Sequence, residues 1–253
     1  MKYMTKECHQ ILQNSNYHIP LRATKYAEQF SEGFYRALYK AREDEMVHIW
    51  EAAEKVYWNP DFPQEYKPPN PPSFDPEEIR KNFRTAHRHN VKDLKEHLPE
   101  HILRQVADVR VLALHCASAA VKWDITAWCR QNEKMANQTA GVYMKHYKAM
   151  LKQGNPAFLE EFSFHDCKIT SCRRRGKHLV VGLDNSSGFS DVDTINFEHC
   201  TILKQERPFH NAWWLYEEIY PVDGGWEIHA LLQNSRMQLL DFIVQVTGVR
   251  FKR

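Results

Sequence analysis

Two segments of the sequence carry side chains that could do acid–base chemistry. The first contains His165 and Asp166, between a phenylalanine and a cysteine. A neutral imidazole beside a carboxylate is a plausible general base. The same two side chains could instead hydrogen-bond to the backbone and fix the chain where a helical pattern gives way to a strand pattern. Both interpretations stay open, and the structural one is favoured.

The second segment is an aromatic hairpin that contains two adjacent acids, Glu217 and Glu218, and a histidine, His229. If the turn pairs Tyr220 with Trp226, Glu217 faces His229 across the strands and Glu218 lies among aromatic rings. A carboxylate in such surroundings has a raised pKa unless it is paired. The alternative is a strand buried on both faces whose acids are paired with arginine or histidine, and this alternative is favoured.

The same hairpin supplies the aromatic side chains that would suit a binding surface, Trp213, Trp214, Tyr216 and Trp226. Aromatic residues between domains are common recognition sites. We therefore expect these four residues to line a groove between the two halves of the chain.

Two other clusters are weaker candidates. The spacing Glu45-x-x-His48 occurs in carboxylate-bridged di-metal bundles, but such sites need the motif on two helices and it occurs here once. A basic run at 173–177 could contact phosphate, but a solvated hairpin loop explains it at least as well. No metal ligand and no cofactor is assigned from these patterns.

The first half of the chain, residues 1–155, reads as a helical domain. Apolar residues at helical spacing predict one long helix, or two in line, over Leu21–Tyr57 and further helical structure from Leu98 to about Gln153. A proline-rich connector over 59–76 separates them, and Asp75-Pro76 ends it with a capping residue and a proline at the first helical position.

Residues 156–253 have the pattern of an antiparallel β domain. Short runs of β-branched and aromatic residues, beginning with 162–164, are bounded by glycine, asparagine, aspartate and serine. The predicted fold class is therefore α+β, with an N-terminal all-helical domain followed by a C-terminal β-sandwich or barrel-like domain.

Composition and charge narrow the classes of function. The chain has 253 residues, 34 basic and 32 acidic, and its net charge of +2 does not suit a nucleic-acid-binding protein. There is no apolar run long enough to span a membrane and no secretory signal. Six scattered cysteines without a C-x-x-C pair predict reduced thiols and a cytoplasmic location. Signature motifs of nucleotide-binding enzymes and common hydrolases are absent.

Four segments carry a resemblance to known proteins. They are the first seven residues, the stretch from Leu98 to Leu114, the run 164–167, and the hairpin from Ala212 to His229, with Trp-Trp-Leu-Tyr-Glu-Glu as its most specific part. They resemble an uncharacterised bacterial family, domain of unknown function 4085. The resemblance implies a bacterial, cytosolic protein and supplies no catalytic residues.

Two functions follow as hypotheses. The first is a non-catalytic binding or protein-interaction module that takes a protein or small-molecule ligand in the aromatic groove. The alternative is a hydrolase-type enzyme, with or without a divalent metal, that uses the five acid–base candidates, His165, Asp166, Glu217, Glu218 and His229. An enzyme requires several of these side chains to converge on an accessible pocket, whereas a binding protein allows them to lie apart or in unrelated pairs.

Overall fold

The structure is a computed structural model that describes residues 1–59, 74–152, 158–188 and 190–253. Most of the proline-rich connector expected at 59–76 lies outside these residues, and so does the domain boundary expected at 155. The chain forms two compact units, one of Met1–Gln13 with Asn132–Arg253, and one of Asn14–Gln131. We call them the sheet unit and the helical unit.

Within the described residues the helices are α1 (Lys6–Gln13), α2 (Glu32–Tyr57), α3 (Pro76–His97), α4 (Glu100–Leu103), α5 (Val109–Leu112), α6 (Ala119–Lys152) and α7 (Phe158–Glu161). The strands are β1 (Arg22–Ala23), β2 (Cys116–Ala117), β3 (Lys168–Arg175), β4 (His178–Asp184), β5 (Thr194–Glu198), β6 (Thr201–Gln205), β7 (Trp213–Val222), β8 (Gly225–Gln233), β9 (Leu239–Val246) and β10 (Gly248–Lys252). Helices precede strands along most of the chain, and the predicted α+β class is confirmed.

The start of α3 lies where the sequence predicts it. The Asp75 carboxylate accepts hydrogen bonds from the backbone N–H groups of Glu77 and Glu78, and a proline occupies the first turn. The helix expected over Leu21–Tyr57 is shorter than predicted. It begins at Glu32, because Ser31 is extended and its hydroxyl accepts a hydrogen bond from the N–H of Phe34.

The continuous helical pattern expected from Leu98 to Gln153 is interrupted. His115 adopts a left-handed backbone with φ of 63°, and the next two residues form β2, which pairs in parallel with β1. The apolar periodicity belongs to two short helices, α4 and α5, and to the long helix α6, which share one core whose fully buried residues include Ile102, Ile125 and Cys129.

The sheet unit contains one eight-stranded antiparallel sheet in the order β10-β5-β4-β3-β7-β8-β9-β6. Only two residues, His199 and Cys200, join β5 near one end of this order to β6 at the other. The N–H of Thr247 also donates to the carbonyl of Glu198, at 2.9 Å. Short links between distant positions require the sheet to curl until its two ends are close together.

The core of the sheet unit is rich in aromatic rings. Trp214, Phe164, Phe197 and Phe242 are the largest fully buried side chains of the described residues. The run 162–164 was expected to be a strand and is not one, although its two phenylalanines are buried. It lies between α7 and the turn that precedes β3.

Among the helices described here, none combines the length and the apolar character that crossing a membrane requires.

Candidate functional site

The β7–β8 hairpin sets the positions of most candidate residues. Its two strands are joined by Asp223-Gly224, with Gly224 at φ 75°, so Val222 pairs with Gly225. Asp-Gly is a favoured two-residue hairpin loop because both positions tolerate a left-handed backbone. The expected pairing of Tyr220 with Trp226 is therefore wrong by one residue.

The corrected register exchanges the roles of the two acids. Glu218, and not Glu217, stands opposite His229, while Glu217 stands opposite Ala230. Because side chains alternate across a strand, the two acids point to opposite faces of the hairpin.

A bulge at Leu215 places Trp214 on the same face as Glu217. The indole Nε1 of Trp214 donates to the Glu217 carboxylate over 2.8 Å. Burial raises the pKa of Glu217 to about 7, although this hydrogen bond and the one from the Phe164 N–H act in the opposite direction. This acid faces the hydrophobic core of the sheet.

Glu218 lies on the other face and is fully buried. One carboxylate oxygen accepts from the backbone N–H of Lys2 at 2.6 Å and from the hydroxyl of Tyr220 at 2.5 Å. The other accepts from the N–H groups of Tyr3 at 2.9 Å and Met4 at 2.5 Å. Four donors compensate the burial of this carboxylate, which thereby holds residues 2–4 against the sheet.

His229 is buried beside Glu218 but bonds elsewhere. Its Nε2 lies 2.5 Å from the carboxylate of Glu227, and its Nδ1 has no hydrogen-bond partner among the described residues. Burial lowers the pKa of His229, and the hydrogen bond to Glu227 partly opposes that effect. The Tyr220 ring packs edge-on against the imidazole, with centroids 5.3 Å apart.

His165 and Asp166 occupy a turn just before β3. The Nδ1 of His165 hydrogen-bonds to the carbonyl of Leu215, next to the bulge, and its Nε2 lies 3.7 Å from the Asp166 carboxylate. Asp166 has φ 64° and its N–H donates to the carbonyl of Trp214. These contacts attach the turn to β7, and both side chains are nearly half exposed.

The five acid–base candidates therefore occupy three separate surroundings. Glu217 faces the core, Glu218 and His229 lie side by side on the opposite face, and His165 with Asp166 lies at the turn before β3. In the part of the chain that the structure describes, no cluster of three or more His, Cys, Asp or Glu residues could hold a metal ion.

The four aromatic candidates also separate. Trp214 is fully buried and Trp226 is 8% exposed, and both belong to the sheet core. Trp213 and Tyr216 are half-buried. Lys168 extends over the Trp213 ring at 5.6 Å, and Tyr216 lies between the rings of His9 and His165.

A groove that sequence reasoning missed lies in the helical unit, between α2 and α3. It consists of two adjoining cavities of about 340 and 390 Å³ that share Met46, Phe83 and Ala86. The lining residues follow one face of each helix, at spacings of three and four. Those of α2 are Arg42, Glu45, Met46, Ile49, Trp50, Ala53 and Glu54, and those of α3 are Asp75, Glu78, Ile79, Asn82, Phe83, Ala86, His87 and Asn90.

The α2/α3 groove has charges of opposite sign at its two ends. Arg22 and Arg42 line one end; Arg42 is paired with Glu45 at 2.6 Å, and its buried Nε has no partner within the described residues. The other end is lined by three acids, Glu54, Asp75 and Glu78. One sequence pattern could have indicated the groove. Met46, Ile49, Trp50 and Ala53 are apolar at helical spacing, and they lie on a different face of the helix from the apolar residues that precede them.

Residues 74–241 match the family described as "Protein of unknown function (DUF4085)". The chain belongs to this family. The predicted membership is thereby confirmed. No match exists among the curated proteins or among the solved structures.

The residues that match the DUF4085 family include only part of the Glu218 site and only part of the α2/α3 groove. It includes the β7–β8 hairpin with Glu218 and His229, and it includes the α3 wall of the groove. The α2 wall and residues 2–4, which bind Glu218, precede the matched span. The family description names no activity for either arrangement.

Proposed function

We propose that this member of the DUF4085 family is a non-catalytic binding protein whose ligand lies in the α2/α3 groove. One observation carries the proposal: the two cavities adjoin along the same helix faces and have mainly apolar walls with a few charged groups at the ends. Preformed concave sites with this lining are typical of ligand-binding proteins.

The arrangement of the acid–base candidates supports a non-catalytic function. Glu218 is bound by four donors, His229 by Glu227, and Glu217 by Trp214. A general base must reach a substrate proton, whereas these three groups are bonded to other groups of the protein. The half-exposed His165 and Asp166 lie apart from them, at the turn before β3. The hydrolase alternative would need them to share one accessible pocket.

The groove expected between the two halves of the chain remains a prediction. Two of its four aromatic residues, Trp214 and Trp226, are buried in the sheet core and offer little surface to a ligand. This is why the proposal places the ligand in the helical unit. We also propose a cytoplasmic location in a bacterial cell, which the six free cysteines support.

A cavity-filling variant tests the proposal. Ala86 lines both cavities and is exposed, so Ala86→Trp should fill the groove without disturbing the core. The probe is anilinonaphthalene sulfonate, an anionic aromatic dye that becomes fluorescent in apolar sites. We expect the wild type to bind it and Ala86→Trp to bind it at least about tenfold more weakly.

The matched control is Ala127→Trp, at an exposed position of α6 that does not line the groove. It should bind the dye as the wild type does. Equal dye binding by all three proteins, or none by the wild type, would contradict the proposed site.

A further inference from the structure

We propose that the occupant of the α2/α3 groove is an amphipathic helix of a partner protein, with an acidic side chain at one end and a basic one at the other. This inference rests on the proposed function and adds the class of ligand to it.

The length and shape of the groove fit a helix. The α2 wall runs from Arg42 to Glu54, which at the rise of a helix is about 18 Å, and the α3 wall runs alongside from Asn90 to Asp75. A third helix laid between two antiparallel helices is a common packing in bundles. Such a partner would insert apolar residues at i, i+3 or i+4, and i+7.

The exposed apolar surface is longer than the cavities, which favours a protein over a small molecule. Ile49 is 56% exposed and Trp50 is 44% exposed at the rim of the groove. Farther along α2, Val56 and Trp58 are 50% and 62% exposed and line neither cavity. A small ligand within the cavities would leave these two side chains in water, whereas a helix could cover them. Tryptophan and methionine are also enriched in protein interfaces.

The charges at the two ends specify the partner further. The Arg22 side chain is exposed, and the ion pair that Glu45 makes at this end of the groove is with Arg42, at 2.6 Å, and not with Arg22. At the far end Glu78 is exposed on the first turn of α3. A partner helix with an acid near Arg22 and a base near Glu78 would satisfy both ends and would bind in one direction only.

A small amphiphile such as a fatty acid meets only one of these conditions. Its carboxylate could bind at Arg22 and its tail could lie along the apolar walls, but it would bring no basic group to the acids Glu54, Asp75 and Glu78 at the other end. A second copy of this chain would have to present a helix of the required charge pattern on its own surface.

The experiment is selection from a display library of random peptides of about 18 residues against the full chain. We expect the selected peptides to share apolar residues at helical spacing, with acids toward one end and bases toward the other. Counter-selection uses Trp50→Glu, which should bind the selected peptides at least about tenfold more weakly. Trp123→Glu is the control, because Trp123 is 73% exposed on α6 and does not line the groove.

A charge exchange tests the direction of binding. Arg22→Glu should weaken a selected peptide about fivefold, and replacing the peptide's terminal acid by lysine should restore binding. Glu78→Lys should behave in the same way with the other end of the peptide. Circular dichroism of the free and bound peptide checks that it is helical.

The outcomes separate this inference from the proposed function. If no peptide is enriched but dodecanoate binds the wild type and not Ala86→Trp, the groove is a small-molecule site and the helix proposal fails alone. If the chain sediments as a dimer that Trp50→Glu dissociates, the occupant is a second copy and the proposal of a foreign partner fails. If neither peptide, dodecanoate nor dye binds, both proposals fail.

Discussion

The sheet unit and the helical unit differ in which side chains they bury and which they expose. In the sheet unit, charged and aromatic groups that could act on a ligand are turned inward and bonded, as Glu218 is by four donors and Trp214 by Glu217. In the helical unit, apolar groups that could form a core are turned outward, as Ile49 and Trp50 are.

The difference shows that residue type alone does not locate a site. A buried carboxylate is stabilising only when donors surround it, and Glu218 meets that condition within the protein itself. Exposed apolar residues that lie together along one groove, as Ile49 and Trp50 do, are typical of an interaction surface, whereas a single exposed residue such as Trp123 is not. Mutations that remove the buried ring of Trp214 or the hydrogen-bonded charge of Glu218 should therefore cost stability, while those in the groove should not.

The largest loss should follow removal of the buried indole. Trp214→Ala deletes a fully buried ring and leaves the Glu217 carboxylate without its side-chain donor. We expect the free energy of unfolding to fall by about 4 kcal/mol. Denaturation by urea, followed by circular dichroism, measures it. The neighbouring Trp213→Ala, at a half-buried position, should cost about 1 kcal/mol; similar losses for the two would contradict the burial difference.

Loss of the Glu218 charge should come next. Glu218→Gln keeps the shape of the side chain but turns an amide NH2 toward groups that are themselves donors. We expect a loss of about 3 kcal/mol, with faster hydrogen exchange at the amides of Tyr3 and Met4. Glu227→Gln is the comparison, since that carboxylate is partly exposed and should matter less. Unchanged hydrogen exchange at these two amides would show that Glu218 does not hold residues 3 and 4 against the sheet.

Glu217→Gln should raise the free energy of unfolding, and it should do so only at higher pH. Because the pKa of this acid is raised from 4.5 to about 7 in the folded protein, its protonated form is favoured on folding. The resulting stability is fully present below about pH 4.5 and is lost as the pH rises through 7. We expect the variant to match the wild type at pH 4.5 and to exceed it by about 2 kcal/mol at pH 8. A difference that does not vary with pH would mean that Glu217 does not titrate there.

The smallest effect should be in the groove. Trp50→Ser and Ile49→Ser remove exposed side chains from α2, so each should change the free energy of unfolding by less than about 0.5 kcal/mol. Thermal unfolding of both variants beside the wild type measures this. Losses as large as that of Trp214→Ala would show that these residues belong to a core and not to a binding surface.

The sequence was sufficient for the fold class and for the hairpin, but not for its register. Alternation of apolar residues places Trp226 and Ile228 on the core face whatever the turn length. Which acid faces His229 depends on the loop being two residues long, and the Asp223-Gly224 pair was the available signal. The bulge at Leu215 has no local signature in this sequence, so the pairing of Trp214 with Glu217 could not have been predicted.

The groove escaped prediction for a different reason. Periodicity identifies an apolar stripe on a helix but does not tell whether another element covers it. Met46 and Trp50 lie on such a stripe of α2, and only the positions of α3 and of the segment at 113–115 reveal that part of it stays open. Three of the four donors to Glu218 could not be predicted either, because they are backbone N–H groups more than two hundred residues away.

That separation of 214 to 216 residues between Glu218 and its backbone donors also sets an order of events during synthesis. At about 5–20 residues per second, residues 2–4 wait roughly 10–40 s on the ribosome before their carboxylate partner is made. Residues 14–131, which form the helical unit, are complete well before then. Residues 2–4 are therefore made long before the carboxylate that binds them, and a nascent chain halted before Glu218 should carry a folded helical unit with residues 2–4 still unbound.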